Sequence, residues 1–250
     1  MKSEREGDIS SALPHDLDAL PHLRGFRMRG VETTRLETFI DAAFAFAITV
    51  LVISASQVPE TIAALIEAFR NVPAFVASII VLGIFWRGHW LWSRRFGLED
   101  GVSIFISWGM IVTILIYVFP LRLLFGAMFH YLSGGTVGHR LIVQALSEVR
   151  ALYAFYALGF AILAFEILLL NLWAFRLQRA LHLNAREIVM TRHEVWGWSL
   201  PVTIGLTSFT LALTLPISHL DWCGWIFFSL AILVPLHRRW RRRRLGALSN

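Results

Sequence analysis

The sequence of 250 residues has a single cysteine and lacks the common motifs of soluble enzymes. Because Cys223 stands alone, the chain can form neither an intrachain disulfide nor a metal site built from several cysteines. The Walker loop, the G-x-G-x-x-G fingerprint and the H-E-x-x-H helix are all missing. We therefore expect no enzyme activity and no resident cofactor. The sequence TVGYG is missing too, which excludes a cation filter of that backbone-carbonyl type.

Charge is also scarce, at 16% of residues, whereas 56% are hydrophobic and the mean hydropathy is +0.62. This composition is typical of an integral membrane protein, and we expect an all-α one. A net charge of +6 would suggest a nucleic-acid partner if the protein were soluble. The arginines, however, stand at the ends of apolar runs, where the positive-inside rule places them. We therefore expect contact with anionic lipids and no nucleic-acid partner.

Apolar runs along the chain predict six transmembrane helices. The fifth should begin at Thr191 and Glu194, which have the spacing of a helix-capping box. The predicted spans are approximately 35–56, 73–92, 102–127, 150–175, 195–217 and a short last run that ends near Leu236. Flanking them, we expect a flexible cytosolic tail over residues 1–30 and a basic cytosolic tail over residues 238–250. Residues 31–237 form the predicted six-helix domain.

The basic residues are distributed unevenly between the two sides that six spans define. Only four of the 23 lie on the side away from the termini, and nearly all of the others lie on the side that holds both ends. The four are Arg70, Arg122, Arg140 and Arg150. Because positive residues accumulate on the cytosolic side of a membrane, we predict that both termini are cytosolic.

The first apolar run, Arg35–Ile53, reads RLETFIDAAFAFAITVLVI. Thr34 and Glu37 have the capping-box spacing at its start. Asp41 is the only charged residue from position 39 to position 56. A carboxylate inside a membrane helix is costly, so Asp41 is expected to have a partner or a function.

This run resembles a known family. Arg35-x-x-x-Phe39-Ile40-Asp41 is similar to the R-x-x-x-F-S-D signature in the first helix of the TMEM175 potassium-channel family, here its bacterial branch, with Ile40 in place of the family's serine. The segment Phe85–His89, FWRGH, is similar to the F-W-x-x-H motif of the family's second helix. The resemblance implies a potassium-permeable channel subunit of the bacterial inner membrane, in which the first helices of a homotetramer line a central pore.

A stripe of residues follows Phe46 along the first helix at spacings of three, four, seven and eleven positions. Its members are Thr49, Val50, Ile53 and Gln57. The spacing alone is more typical of packing against a neighbouring helix. The resemblance implies that the stripe lines the ion path, with Phe46 at the hydrophobic constriction and Thr49 contributing to selectivity. Potassium, the permeant ion, is then expected to bind transiently near Thr49.

One chain supplies one such helix, so several copies are needed to enclose a pore, and cyclic symmetry is the economical way to close it. The family usually has Ile or Leu at the constriction, and Phe46 is bulkier. A potassium ion must shed much of its water to pass such an apolar ring. We therefore expect low flux and modest selectivity compared with a carbonyl filter.

A polar cluster is predicted to join the first two helices. Asp41 can accept hydrogen bonds, and the side chains of Arg35, Trp86 and His89 can donate them. Phe39 of the signature belongs to the same predicted cluster. We expect it to fix the pore helix in place rather than to lie in the ion path.

Two alternatives remain open at the level of sequence. The first is a proton-coupled transporter or proton leak that uses Asp41, His89 and Glu166, the last of which lies mid-span in the fourth run together with Asn171. The second is a non-conducting membrane scaffold, in which the Phe46 ring never opens.

Overall fold

The computed structural model describes residue 17 and residues 19–53, 59–142 and 145–246, and this part of the chain is almost entirely helical. The α-helices are α1 (Arg35–Ile53), α2 (Ile62–Arg70), α3 (Val72–Phe96), α4 (Gly101–Leu132), α5 (Leu146–Arg176), α6 (Ala185–Thr214), α7 (Trp222–Trp225) and α8 (Leu230–Gly246). Short 3-10 turns occupy Ile217–His219 and Ile226–Ser229. Strands β1 (His22–Leu23) and β2 (Phe26–Arg27) form an antiparallel hairpin.

Among the described residues, five segments are long and apolar enough to cross a membrane. They are Arg35–Ile53, Val72–Phe96, Gly101–Leu132, Ser147–Arg176 and Ile217–Arg241. Helix α6 has 30 residues, but its first three turns carry two acids, Glu187 and Glu194, and two arginines. Its apolar part is therefore shorter than the helix itself.

The start of α6 corrects a prediction. The helix begins at Ala185, about three turns before the predicted start, and a reciprocal capping box between Asn184 and Glu187 begins it. The predicted box at Thr191 and Glu194 is wrong: the Thr191 hydroxyl donates to the Glu187 carbonyl at 2.8 Å. Glu194 pairs with arginines instead. Both spacings fit the capping pattern, and only tertiary packing distinguishes them.

The described parts of both terminal segments contain regular secondary structure. Helix α8 continues through the arginine run to Gly246, well beyond the predicted end near Leu236. Arginine favours helices, and Arg241 anchors the last turns through Glu194 at 2.7 Å. At the other end, the described part of residues 1–30 forms the β1–β2 hairpin, and Phe26 is fully buried.

Helix α1 packs with one face against α3 and α4, and α5 and α6 form the most extensive helix pair. Small residues allow the close approach of α5 and α6: a Cβ at Gly205 would lie only 2.9 Å from the Cβ of Ala161. Aromatic rings fill the core between α3, α5 and the segment before α8. Among them, the centroids of Phe85 and Phe160 lie 5.2 Å apart, and those of Phe160 and Phe227 lie 4.9 Å apart.

Candidate functional site

Helix α1 has one buried face and one open face. Its buried residues are Leu36, Glu37, Ile40, Phe44, Ala47 and Leu51. The apolar members join the same core cluster as residues of α3 and α4. On the opposite face, Ala42, Ala45 and Thr49 are exposed, as are Phe46 at 58% and Ile53 at 71%. Within the described part of a single chain, a largely apolar face that includes the hydroxyls of Thr38 and Thr49 is thus left uncovered.

The predicted stripe lies only partly on this open face. Phe46, Thr49 and Ile53 are exposed, whereas Val50 is partly buried and packs against the core. Gln57 lies outside the described residues. The Thr49 hydroxyl donates to the Ala45 carbonyl at 3.0 Å, so its proton is used within the helix. The oxygen keeps lone pairs that can accept or coordinate on the exposed side.

The predicted polar cluster forms only in part. The Trp86 indole N–H donates to Asp41 Oδ1 at 2.8 Å and joins α3 to α1. His89 is buried elsewhere, with Nε2 at 3.1 Å from Ser107 Oγ on α4. Arg35 is exposed, and its guanidinium has no hydrogen-bond partner among the described residues. The structure of a single chain therefore does not bring Arg35 and His89 to Asp41: Arg35 is exposed, and His89 points to α4.

Phe39 of the signature contacts α4 rather than the Asp41–Trp86 pair. Its ring centroid lies 5.6 Å from that of Trp108, at an angle of 41°. Phe46, seven residues further along, lies on the same side of α1. The two motif residues Phe39 and Asp41 thus support opposite flanks of α1, one on α4 and one on α3.

Sequence reasoning missed Glu37, which was expected only to cap α1. The Thr34 hydroxyl does accept the Glu37 N–H at 3.1 Å. The Glu37 carboxylate, however, is buried and accepts hydrogen bonds from α3: Arg94 Nε lies 3.1 Å from Oε1, and Ser93 Oγ lies 3.1 Å from Oε2. A buried acid paired with an arginine thus fixes the start of α1 to the end of α3.

Arg94 also holds the segment that precedes α1. Its guanidinium donates to the carbonyls of Gly30 and Val31 and to the hydroxyl of Thr33 at 2.9–3.2 Å. Gly30 lies so close to α3 that a Cβ there would be 2.6 Å from the Ser93 carbonyl oxygen. Only glycine fits this approach. We call this part of the molecule, where Arg94 meets the segment before α1, the basal end.

At the same basal end, Glu187 binds the β1–β2 hairpin to the start of α6. Its buried carboxylate accepts from the guanidinium of Arg27 at 3.0 Å and from that of Arg29 at 2.9 Å. Burial acts to raise the pKa of Glu187, but these bonds and the backbone N–H groups of Arg27 and Asn184 lower it to about 2. The carboxylate is therefore held in its charged form.

Glu194, seven residues after Glu187 and on the same side of α6, binds two further arginines. Arg95 at the end of α3 lies 3.0 Å away, and Arg241 of α8 lies 2.7 Å away. The Arg95 guanidinium also stacks over the Phe26 ring of the hairpin, 5.0 Å from its centroid. The N-terminal hairpin, α3, α6 and α8 thus meet through one connected set of contacts.

These basal residues had a weak signal in the sequence, since each is a charge near the end of an apolar run. Charges at run ends also arise from topology alone, so the sequence does not tell which of them pair.

Elsewhere, Asn171 bonds within its own helix, to the Ile167 carbonyl at 2.9 Å. Glu166 lies 2.8 Å from the Thr113 hydroxyl of α4. The transporter alternative uses Asp41, His89 and Glu166, and each of these side chains therefore bonds to a different partner.

Comparison with known proteins agrees with this architecture. A family model described as "Endosomal/lysosomal potassium channel TMEM175" matches residues 35–120, which include α1, α3 and most of α4. A protein of Marivirga tractuosa named "Potassium channel" is 32% identical over 198 residues, covering 76% of this chain and 79% of that protein.

A solved structure is similar over nearly the whole chain. It is a crystal structure of the potassium channel MtTMEM175, as a threonine-to-alanine variant in complex with a Nanobody-MBP fusion protein. The match has a TM-score of 0.75 and 26% identity, and it covers 90% of this chain and 99% of that one. With two signature motifs on facing helices and a similar fold throughout, this multi-pass membrane protein belongs to the TMEM175 potassium channel family.

Proposed function

We propose that the chain is the subunit of a homotetrameric, potassium-permeable channel of the bacterial inner membrane, with α1 lining the pore. The observation that carries this proposal is the open face of α1. Thr49 and Ile53 are exposed there although the opposite face of the same helix is buried against α3 and α4. The names of the similar proteins, both potassium channels, support the same function.

Four copies related by a cyclic axis would bring four open α1 faces together. Phe46 and Ile53 would then supply apolar rings, with the Thr49 oxygen between them and Val50 at the flank. A potassium ion would lose water at the Phe46 ring and regain oxygen contacts at Thr49. Because a hydroxyl coordinates weakly compared with rings of carbonyls, flux should be low and selectivity modest.

The proposed topology has cytosolic termini and six spans. The apolar second half of α6 is added to the five long apolar segments to give this number. The N-terminal hairpin and the C-terminal helix support this topology, because both contact the first half of α6, through Glu187 and Glu194. Both ends of the chain would thus lie on the arginine-rich side. Exposed arginines of α8 flank Trp240 there and would meet anionic headgroups. They are Arg238, Arg239, Arg243 and Arg244.

Potassium flux from purified protein in liposomes, with sodium for comparison, tests this function. Phe46→Ala should widen the constriction, and Phe46→Asn should widen and hydrate it, so both should raise flux and reduce discrimination against sodium. Thr49→Val keeps the side-chain shape, removes the hydroxyl and should lower selectivity.

Matched controls lie on other helices. Phe105 on α4 is 79% exposed, and the Thr207 hydroxyl of α6 bonds within its own helix, as that of Thr49 does. Phe105→Ala and Thr207→Val should leave flux unchanged. A transporter that depends on titratable groups would instead lose activity at Asp41, His89 or Glu166. Flux indifferent to every change at Phe46 and Thr49, in folded protein, would remove α1 from the pore.

A further inference from the structure

Glu166 is an acid in the apolar seam between α4 and α5 that no part of the proposed ion path uses. Glu166 is 9% exposed, and its Oε2 atom is buried without a hydrogen-bond partner among the described residues. Oε1 lies 2.8 Å from Thr113 Oγ1 of α4. A carboxylate ion with one oxygen buried and unpartnered would carry a large desolvation cost at this depth.

The hydrogen bonds around Thr113 indicate how that cost is avoided. Thr113 Oγ1 lies 2.8 Å from Glu166 Oε1 and also 3.0 Å from the Gly109 carbonyl oxygen. A hydroxyl has one proton, and both a carbonyl and an ionised carboxylate can only accept. Two separate two-centre hydrogen bonds form at once only if the carboxyl supplies a second proton; otherwise the single hydroxyl proton is shared between both acceptors. In the first case, Glu166 O–H donates to Thr113, and Thr113 donates to Gly109.

We propose that Glu166 is a proton-binding site of the α4–α5 seam, and that its carboxyl group is protonated and uncharged in the folded protein. The seam is shaped for this group: a Cβ at position 109 would lie 3.2 Å from Glu166 Oε1, so Gly109 leaves the room that the carboxyl occupies. No basic side chain among the described residues pairs with Glu166, which leaves the proton to neutralise it.

Few titratable groups lie on the helices that pack against α5. Within the spans these are Tyr117 and Arg122 on α4, and Arg87 and His89 on α3; Arg87 is exposed, and His89 bonds to Ser107. On α6, His193 and the acid–arginine contacts lie at the basal end. Gly109, which lies beside the Glu166 carboxyl, follows Trp108 on α4. The Trp108 ring contacts Phe39 of α1. The Glu166 site therefore adjoins the turn of α4 that contacts the first helix.

Infrared spectroscopy of the purified protein near neutral pH tests the protonation state directly, independently of conduction. The carbonyl band of a protonated carboxyl should be present in the wild type and lost in Glu166→Gln. It should shift in Thr113→Val, which keeps the side-chain shape and removes the hydroxyl. Glu148→Gln, at an exposed acid of the same helix, should leave the band unchanged. A folded wild type without a band attributable to Glu166 would overturn the proposal.

Thermal unfolding provides a second readout. Since the folded state holds this proton more tightly than the unfolded chain does, the wild type should lose stability relative to Glu166→Gln as the pH rises. The difference should not depend on whether potassium, sodium or choline is the cation. If potassium or sodium stabilises the wild type but not Glu166→Gln, the carboxyl binds a metal cation instead, and the proposal is wrong. Should Glu166→Gln fail to fold, a pH titration of the wild-type band decides alone.

Discussion

The charged residue inside the first helix is satisfied by an indole and not by another charge. Asp41 accepts from Trp86 Nε1 at 2.8 Å, and Trp86 remains 40% exposed. A tryptophan in this position offers an N–H to α1 while its ring faces the lipid or a neighbouring chain. The pair therefore fixes α1 against α3 without burying an ion pair.

Replacement of this single donor should weaken the packing of α1. Trp86→Phe keeps an aromatic ring and removes the N–H, so it should cost roughly 1–2 kcal/mol, the upper range for interhelical hydrogen bonds in membranes. Unfolding of the purified protein in detergent measures the loss. Trp108→Phe is the control, because the Trp108 indole has a ring contact but no hydrogen-bond partner among the described residues. Equal losses in both variants would mean that ring packing, not the Asp41 bond, carries the effect.

Glu37 should be the more sensitive acid of α1, because it is 1% exposed and pairs with Arg94. Glu37→Gln leaves Arg94 without its charged partner and should cost about 1–3 kcal/mol. The same measurement on Glu67→Gln supplies the control, since the Glu67–Arg70 pair is more than half exposed on both sides. An exposed pair contributes little, so that variant should stay near the wild type. A Glu37→Gln protein as stable as Glu67→Gln would contradict the anchoring role of Glu37.

At the scale of elements, α6 is the anchor of both chain ends. Its acids Glu187 and Glu194 lie seven residues apart on one side of the helix, and they bind the hairpin and α8 respectively. Arg95 contacts both of these connections: it pairs with Glu194, which binds α8, and it stacks on the Phe26 ring of the hairpin. The length of α6 beyond its apolar part is thus explained by the surface that it offers to the two terminal segments.

Attachment of the hairpin should fail in acid. The pKa of Glu187 is lowered from 4.5 to about 2, so its contribution to stability is complete above pH 4.5 and is lost as the pH falls towards 2. A shift of this size corresponds to something on the order of 3 kcal/mol. The stability difference between wild type and Glu187→Gln, followed by thermal unfolding, should shrink over that pH range. A difference that stays constant would show that the charge of Glu187 is not what binds the hairpin.

The sequence predicts the helices well and their ends poorly, for identifiable reasons. Apolar runs locate α1, α3, α4 and α5 because burial in lipid demands them. The ends depend on contacts between distant segments: Glu194 reads as a cap residue until Arg95 and Arg241 are placed beside it. For the same reason the signature motif predicts that Asp41 has a partner, but not that His89 turns to Ser107.

For the whole molecule, the two edges of the helical array have different surfaces. At one edge, α1 leaves its open face uncovered, and at the other edge α6 presents an exposed row that includes Thr203, Thr207 and Leu213. Helix α6 packs mainly on α5, α7, α8 and the hairpin. A closed ring of subunits around α1 would cover the first edge and leave the second for lipid.

Disulfide cross-linking distinguishes this arrangement from others, and the chain is well suited to it. The single native cysteine, Cys223, is fully buried, so the wild type should give no cross-linked species under mild oxidation in membranes. Ile53 is 71% exposed near the end of α1. Four subunits around an axis would bring their Ile53 positions close together. Ile53→Cys should therefore form dimers on a non-reducing gel. Leu213→Cys, at an exposed position of 55% on α6, should stay monomeric because that face would point to lipid in a ring closed around α1. Dimers from Leu213→Cys and none from Ile53→Cys would place α6, and not α1, at the centre of the assembly.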